Sequence, residues 1–205
     1  MFELDVQLRG GEGGVLVCSH YLPLGRRPDR RAGSRALEVE RDNWRLRRAP
    51  GRDPALTDVL ALIPSGCGVL LDPKHRPGVP PEQLRLALAR FVAGSERPGR
   101  FVVSTGDPRL LAAYRSDGVR TWRSIGDRAA LHRAIAAGGL PEEGVSVRHS
   151  LLDAETTSAL NVVAGIIVAW TVNSRRRATE LVRLGVGGVT TDRLAVLAIA
   201  REQPK

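Results

Sequence analysis

From Leu56 onward, short apolar runs alternate with stretches whose apolar positions recur every three or four residues. The first pattern predicts buried strands and the second amphipathic helices. Helices are predicted over Leu56–Ile63, Pro81–Val92, Asp107–Tyr114, Asp127–Ala137, Asp153–Val163, Ser174–Gly185 and Arg193–Arg201. Their ends carry matching chemistry: Asp107, Asp153 and Ser174 suit N-caps, Pro81 and Pro108 suit a first helical turn, and Gly185 suits a C-terminal stop. Between them lie strand-like runs: GVLLDPK ending at Lys74, Phe101–Ser104, Val119–Ile125, Val145–His149, Ile166–Val172 and Gly188–Thr191. Ahead of these stand FELDVQL and VLVCSH, joined by RGGEGG and read as one strand with its extension. Strict strand–helix alternation implies a parallel sheet with right-handed crossovers. The count is seven strands, one short of the eight that close a (β/α) barrel of about 250 residues.

Composition narrows the class. With 205 residues, the expectation is a single barrel-like domain over 1–205. No run of about 18 apolar residues is present, and the N-terminus lacks the apolar core of a secretory signal, so a cytoplasmic address is expected. Cys18 and Cys67 match no zinc or redox spacing and read as two small, at least partly buried thiols. The net charge of +9 points to anionic ligands. Ten arginines fall between Gly25 and Arg52, which makes 25–52 a basic loop insertion, either a solvated loop or an anion-steering flap. Only Trp44 interleaves them, too few aromatics for a base-stacking platform, so no nucleic acid is expected as a partner.

Three passages carry a family resemblance. FELDVQL followed by VLVCSH resembles a Glu-x-Asp strand leading to a histidine. LTDVLALIPSGCGVLLDPK is similar to a helix feeding a strand that ends Glu-x-Lys, here Asp72-Pro73-Lys74. VAWTVNSRRRATELVRLGVGGVTTD is similar to a closing Trp-Thr-Val-Asn, helix, Gly-Val-Asp-Gly-x-x-Thr-Asp signature. In this order they resemble the glycerophosphodiester phosphodiesterase family, metal-dependent phosphoric diester hydrolases on a TIM-like (β/α) barrel. The resemblance implies that Met1 stands at the family's second strand, so that seven of the eight units are present and the first, with its catalytic His-Arg, is missing. Further departures are Tyr21 where the family usually has Asp, Asp72 in place of Glu, and Gly187 in place of Asp.

Strand alternation puts Glu3 and Asp5 on one face. Adjacent carboxylates in an interior repel, and a hard divalent ion relieves that cost. Glu3, Asp5 and Asp72 are therefore the expected metal ligands, with Mg²⁺ or Ca²⁺ as the cofactor. Lys74 would neutralise a phosphoryl oxygen. His20 would be the general acid for the leaving alkoxide. The ends of the later strands give Ser104, Arg123, His149 and Trp170 as the substrate pocket, with Asp192 beside them; Trp170 forms a pocket wall as the resemblance implies. His149 could stand in for the missing histidine, although a plain polar strand end is the stronger reading from sequence.

The leading expectation is a hydrolase or lyase acting on a small or lipid-derived phosphodiester. Two alternatives stand beside it: a catalytically degenerate relative that binds an anionic ligand, an anionic membrane surface or a partner protein, and a barrel repurposed for other chemistry on an anionic substrate such as a diphosphate. An open barrel exposes strand edges, so something is expected to fill the gap: a partner subunit in a homo-oligomer, a swapped segment, or a first strand encoded upstream of Met1.

Overall fold

The structure is a computed structural model that describes residues 1–10, 13–19 and 53–197. The Arg-rich stretch 25–52 falls wholly outside them, as do His20 and the last residues of the final predicted helix. Two compact units divide the chain at Arg100.

The first unit holds β1 (Phe2–Arg9), β2 (Val15–Cys18), α1 (Leu56–Ala61), β3 (Val69–Pro73) and α2 (Pro81–Ala93). The run read as one strand and its extension is instead a hairpin, with β1 and β2 antiparallel in the register Val6↔Cys18 to Arg9↔Val15. Gly10 and Gly13 turn the chain at φ +88° and +85°, values that side-chain-bearing residues adopt only at a cost. The sheet is consequently mixed, and one more strand is present than the sequence pattern counts. β1 also pairs with β3, in parallel, from Phe2↔Val69 to Val6↔Pro73. Val6, Val69 and Leu71 share one face of this pair and are fully buried. On α2, Leu84, Leu88 and Val92 recur every four residues and are buried, which gives that helix its apolar stripe.

The second unit holds β4 (Phe101–Thr105), α3 (Pro108–Ser116), β5 (Thr121–Ile125), α4 (Arg128–Ala136), β6 (Gly144–Arg148), α5 (Ala154–Val163), β7 (Ile167–Trp170), α6 (Arg175–Arg183), β8 (Gly188–Val189) and α7 (Leu194–Leu197). Its five strands are parallel and adjacent in chain order. The predicted caps operate. Asp107 accepts from the backbone N–H of Arg109 and Leu110, and Asp127, a cap the sequence reading did not single out, accepts from that of Ala130. Asp153 and Thr156 form a reciprocal capping box, Ser174 accepts from Arg177, and Gly185 stops α6 at φ +86°.

A single core joins Ile125, Val145, Val147, Ile167 and Ala169 of the strands to Leu131, Leu160, Ala178 and Leu181 of the helices. These strand positions face the helices, so alternation turns Trp122, Ser124, Ser146, Arg148, Val168 and Trp170 to the other face. No described helix is long and apolar enough to cross a membrane.

Candidate functional site

The carboxylates anticipated from sequence begin on β1 and β3. Asp5 and Asp72 are register partners, on the same face of two hydrogen-bonded parallel strands. Lys74 follows Asp72 by two residues and so returns to that face, and its backbone N–H is held by the Val6 carbonyl at 2.8 Å. The Lys74 Nζ donates to Asp72 Oδ2 at 2.5 Å and lies 3.2 Å from Asp5 Oδ1. All three side chains are largely but not fully covered, at 22–29% exposure. Burial pulls the ammonium's proton affinity down. The charge and hydrogen bond of Asp72, followed by those of Asp5, outweigh it and leave Lys74 above the ordinary lysine value.

Glu3 lies on the same face two residues before Asp5, but its register partner is Leu70 and it is exposed. Among the described residues, no group of three or more His, Cys, Asp or Glu side chains stands close enough to hold a metal ion. Two of the three anticipated ligands are therefore side by side, and the third is one pleat removed. Asp5 and Asp72 supply two charged oxygen donors of the kind hard divalent ions take, and the cation now between them is the Lys74 ammonium.

The approach to His20 is also described. The N–H of Ser19 donates to the Asp5 carbonyl at 3.0 Å, and the buried Gln7 donates from Nε2 to the Ser19 carbonyl at 3.1 Å. The residue before His20 is thus stitched to the strand that carries Asp5. Beyond the Arg-rich segment the chain rejoins the same place: Arg9 pairs with Asp53, and Cys18 N–H donates to Pro54 O at 2.9 Å. Cys18 is a free thiol whose pKa is pushed up to about 12 by burial, then by the negative charge of Asp5 and Asp53. It is no nucleophile at neutral pH.

In the second unit the anticipated pocket residues separate. Ser104 sits beside Trp122 in register and is only 3% exposed, which leaves little of it for a ligand. Arg123 shares the helix-facing side of β5 with Ile125. There it pairs with Glu142, whose side chain is fully buried, at 3.0 Å, and Arg115 from α3 takes the same carboxylate at 2.5 Å. Arg123 therefore belongs to a buried ion-pair network and not to a pocket wall. A mid-strand position has equal chances of facing either side, and sequence offered nothing to identify its partner.

His149 begins a short 3₁₀ turn, His149–Leu151, just beyond β6. Arg177 on α6 donates to the carbonyls of His149 and Leu152 at 2.5 and 2.6 Å, which fixes that turn. Burial first, then the charges of Arg177 and Arg148, lower the imidazole's pKa, and its Nδ1 is buried without a hydrogen-bond partner. Trp170 ends β7 half-buried. Its register partner is Arg148, whose guanidinium carbon lies 5.6 Å from the indole centroid. Arg148 was missed in sequence, although as the last strand residue before His149 it shares a face with Ser146. Asp192 is engaged by Asn173, whose Nδ2 donates to Asp192 Oδ2 at 3.2 Å and whose Oδ1 accepts from Asp192 N–H and Thr191 Oγ1, each at 3.0 Å.

No protein-family model matches the chain, and no curated protein matches it. Solved structures do. A glycerophosphodiester phosphodiesterase from Parabacteroides distasonis is 17% identical, with TM-score 0.63 over 98% of this chain and 84% of that one. The Thermotoga maritima glycerophosphodiester phosphodiesterase is 16% identical, with TM-score 0.60 over 97% and 84%. An Oleispira antarctica phosphodiesterase, solved with its product sn-glycerol-3-phosphate, is 16% identical, with TM-score 0.61 over 98% and 84%. The fold of this chain is accordingly the α/β, TIM-like (β/α) fold of those proteins.

Proposed function

We propose that this chain is a phosphoric diester hydrolase or lyase, in which Asp5, Asp72 and Glu3 hold a divalent cation, Mg²⁺ or Ca²⁺, and Lys74 binds a phosphoryl oxygen. The observation that carries the reading is the register of Asp5 against Asp72 with the Lys74 ammonium between them. That arrangement joins paired oxygen donors to a fixed positive charge at the C-terminal end of the parallel pairing of β1 and β3. In (β/α) barrels the chemistry sits at that end. The likeness in fold to glycerophosphodiester phosphodiesterases supports the same class of substrate, a small or lipid-derived phosphodiester.

In this reading the residues divide the work. Asp5 and Asp72 would hold the ion, which would polarise the phosphate and stabilise charge developing on it. Lys74 would neutralise a phosphoryl oxygen. His20 follows directly on Ser19, which is bonded to Asp5, and donates the proton to the departing alkoxide.

A test is direct. Turnover of bis(p-nitrophenyl) phosphate and of a glycerol phosphodiester is measured with Mg²⁺ or Ca²⁺, and repeated for Asp5→Asn, Asp72→Asn and His20→Ala. Loss of at least a hundredfold in kcat/KM in the two Asp variants is expected. Undiminished turnover in either of them would exclude this site.

A further inference from the structure

The N-terminal ends of β5 and β6 carry an arrangement that the phosphodiester reading does not use. A cleft of about 300 Å³ opens there, lined by Arg115, Gly118, Arg120, Thr121, Pro141 and Glu143. In a (β/α) fold the chemistry belongs to the opposite, C-terminal ends of the strands. The volume is at the low end of what small-molecule sites have, enough for a compact ion or acid.

Local structure builds the wall. Gly118, at φ +75°, turns the chain just past α3, so that its N–H and that of Val119 return to the carbonyls of Arg115 and Tyr114. This turn sets Arg115, in the last turn of α3, and Arg120, at the approach to β5, along one cleft. Arg120 is held by Glu143, its Nε donating to the two carboxylate oxygens at 2.9 and 2.8 Å.

Charge does not balance here. Among the described residues, Arg115, Arg120 and Arg123 pair with only two carboxylates, Glu142 and Glu143. Arg120 takes Glu143, so Arg115 and Arg123 share the fully buried Glu142, and one guanidinium is in excess. Asp117, the acidic neighbour of Gly118, does not line the cleft. Arg115 is the member of the shared pair that reaches it. It donates to Glu142 through Nη1 alone, and its Nε and Nη2 have no acceptor among the described residues. A guanidinium anchored at one corner loses little freedom when its remaining edge grips an oxyanion, and that edge matches phosphate or carboxylate. Beside it, Thr121 is 1% exposed, and its hydroxyl has no hydrogen-bond partner among the described residues. Buried hydroxyls are seldom left so.

We infer that this cleft binds a small oxyanion, a phosphate or carboxylate group, on the unused edge of Arg115, with the Thr121 hydroxyl as a second donor. The site lies wholly within the second unit and stands or falls independently of the hydrolase reading.

Amide NMR spectra of the full-length protein test it. Inorganic phosphate and succinate are titrated separately at constant ionic strength. Saturable shifts of the Gly118, Arg120 and Thr121 amides are expected with at least one probe, and the probe that acts identifies the group. Arg115→Met should weaken the affinity tenfold or more, and the shape-matched Thr121→Val threefold. Glu143→Gln removes the competing carboxylate and frees Arg120, so it should tighten binding at least threefold. Both members of that pair are well exposed, so this variant keeps its fold and decides the matter even if Arg115→Met does not. The site is overturned by an absence of saturable shifts at these amides with both probes, by unchanged affinity in Arg115→Met or Thr121→Val, or by Glu143→Gln binding no more tightly than the parent.

Discussion

Asp5 and Asp72 stand opposite each other on two parallel strands, and the ammonium of Lys74 lies 3.2 Å from one carboxylate and 2.5 Å from the other. Placing two like charges in register on adjacent strands is unfavourable unless a cation lies between them. Here the lysine supplies that charge from within the same strand end.

The first prediction uses that balance. Lys74→Met leaves the two carboxylates facing each other without the ammonium, at a cost of about 1–3 kcal/mol for a largely covered charged partner lost. An ion that binds only the folded protein then restores stability in proportion to its occupancy. The urea midpoint of Lys74→Met should therefore fall without divalent ions and recover on addition of millimolar Mg²⁺ or Ca²⁺. Asp5→Asn with Lys74→Met should show no such recovery. A Lys74→Met midpoint insensitive to both ions would remove Asp5 and Asp72 from consideration as ligands.

A second prediction concerns acid. His149 has its pKa lowered by burial, by Arg177 and by Arg148, so the folded protein holds the imidazole neutral below the pH at which the unfolded chain protonates. A histidine depressed in the folded state contributes stability above its unfolded pKa of about 6.5, and that contribution is lost as pH falls through the folded value. Proton NMR should place the His149 midpoint below 6.5 and move it upward in Arg148→Met, since one repelling charge is gone. A His149 midpoint unmoved by Arg148→Met would show that the two side chains do not share a field.

Much of this was legible in sequence because local chemistry and pattern agree. Asp107, Asp153 and Ser174 cap the helices they precede, and the period-two and period-3.6 runs fall on the strands and helices observed. Glu3 and Asp5 share a face by alternation alone. The register that sets Asp5 against Asp72 could not be read that way, because it depends on how two strands slide past one another. The hairpin was missed because RGGEGG separates two apolar runs without indicating that the second folds back on the first. Arg123 was misplaced for a related reason: a charged residue in mid-strand reads as a ligand group until its partner, the buried Glu142, is seen.

That partner gives the third prediction. Glu142 is fully buried and receives both Arg115 and Arg123. Removing one member of a buried charge network leaves the others uncompensated and costs about 3–5 kcal/mol. Glu142→Gln should lower unfolding stability by roughly that amount in urea titration, and Arg123→Met by less, because Arg115 still neutralises the carboxylate. Both should leave any phosphodiester KM unchanged, which separates Arg123 from a pocket role. A raised KM with undiminished stability in Arg123→Met would return it to the pocket.

The fourth prediction explains a motif. In the sequence Trp-Thr-Val-Asn, the last residue is not a ligand group but a clamp, joining the end of β7 to the end of β8 through three hydrogen bonds to Thr191 and Asp192. The amide is needed for its two functions at once, since Oδ1 accepts from an N–H and a hydroxyl while Nδ2 donates to a carboxylate. Asn173→Ala should cost about 1–2 kcal/mol, as the site is solvent-exposed and water replaces part of what is lost. Asn173→Asp keeps the acceptor but sets a second carboxylate against Asp192 in place of the donor, and should be the worse of the two at pH 7. Lowering the pH to 4 should narrow the gap between the variants as the carboxylates protonate. If Asn173→Asp instead matches the parent protein at both pH values, the clamp depends on the carbonyl oxygen alone, and the contact with Asp192 contributes nothing.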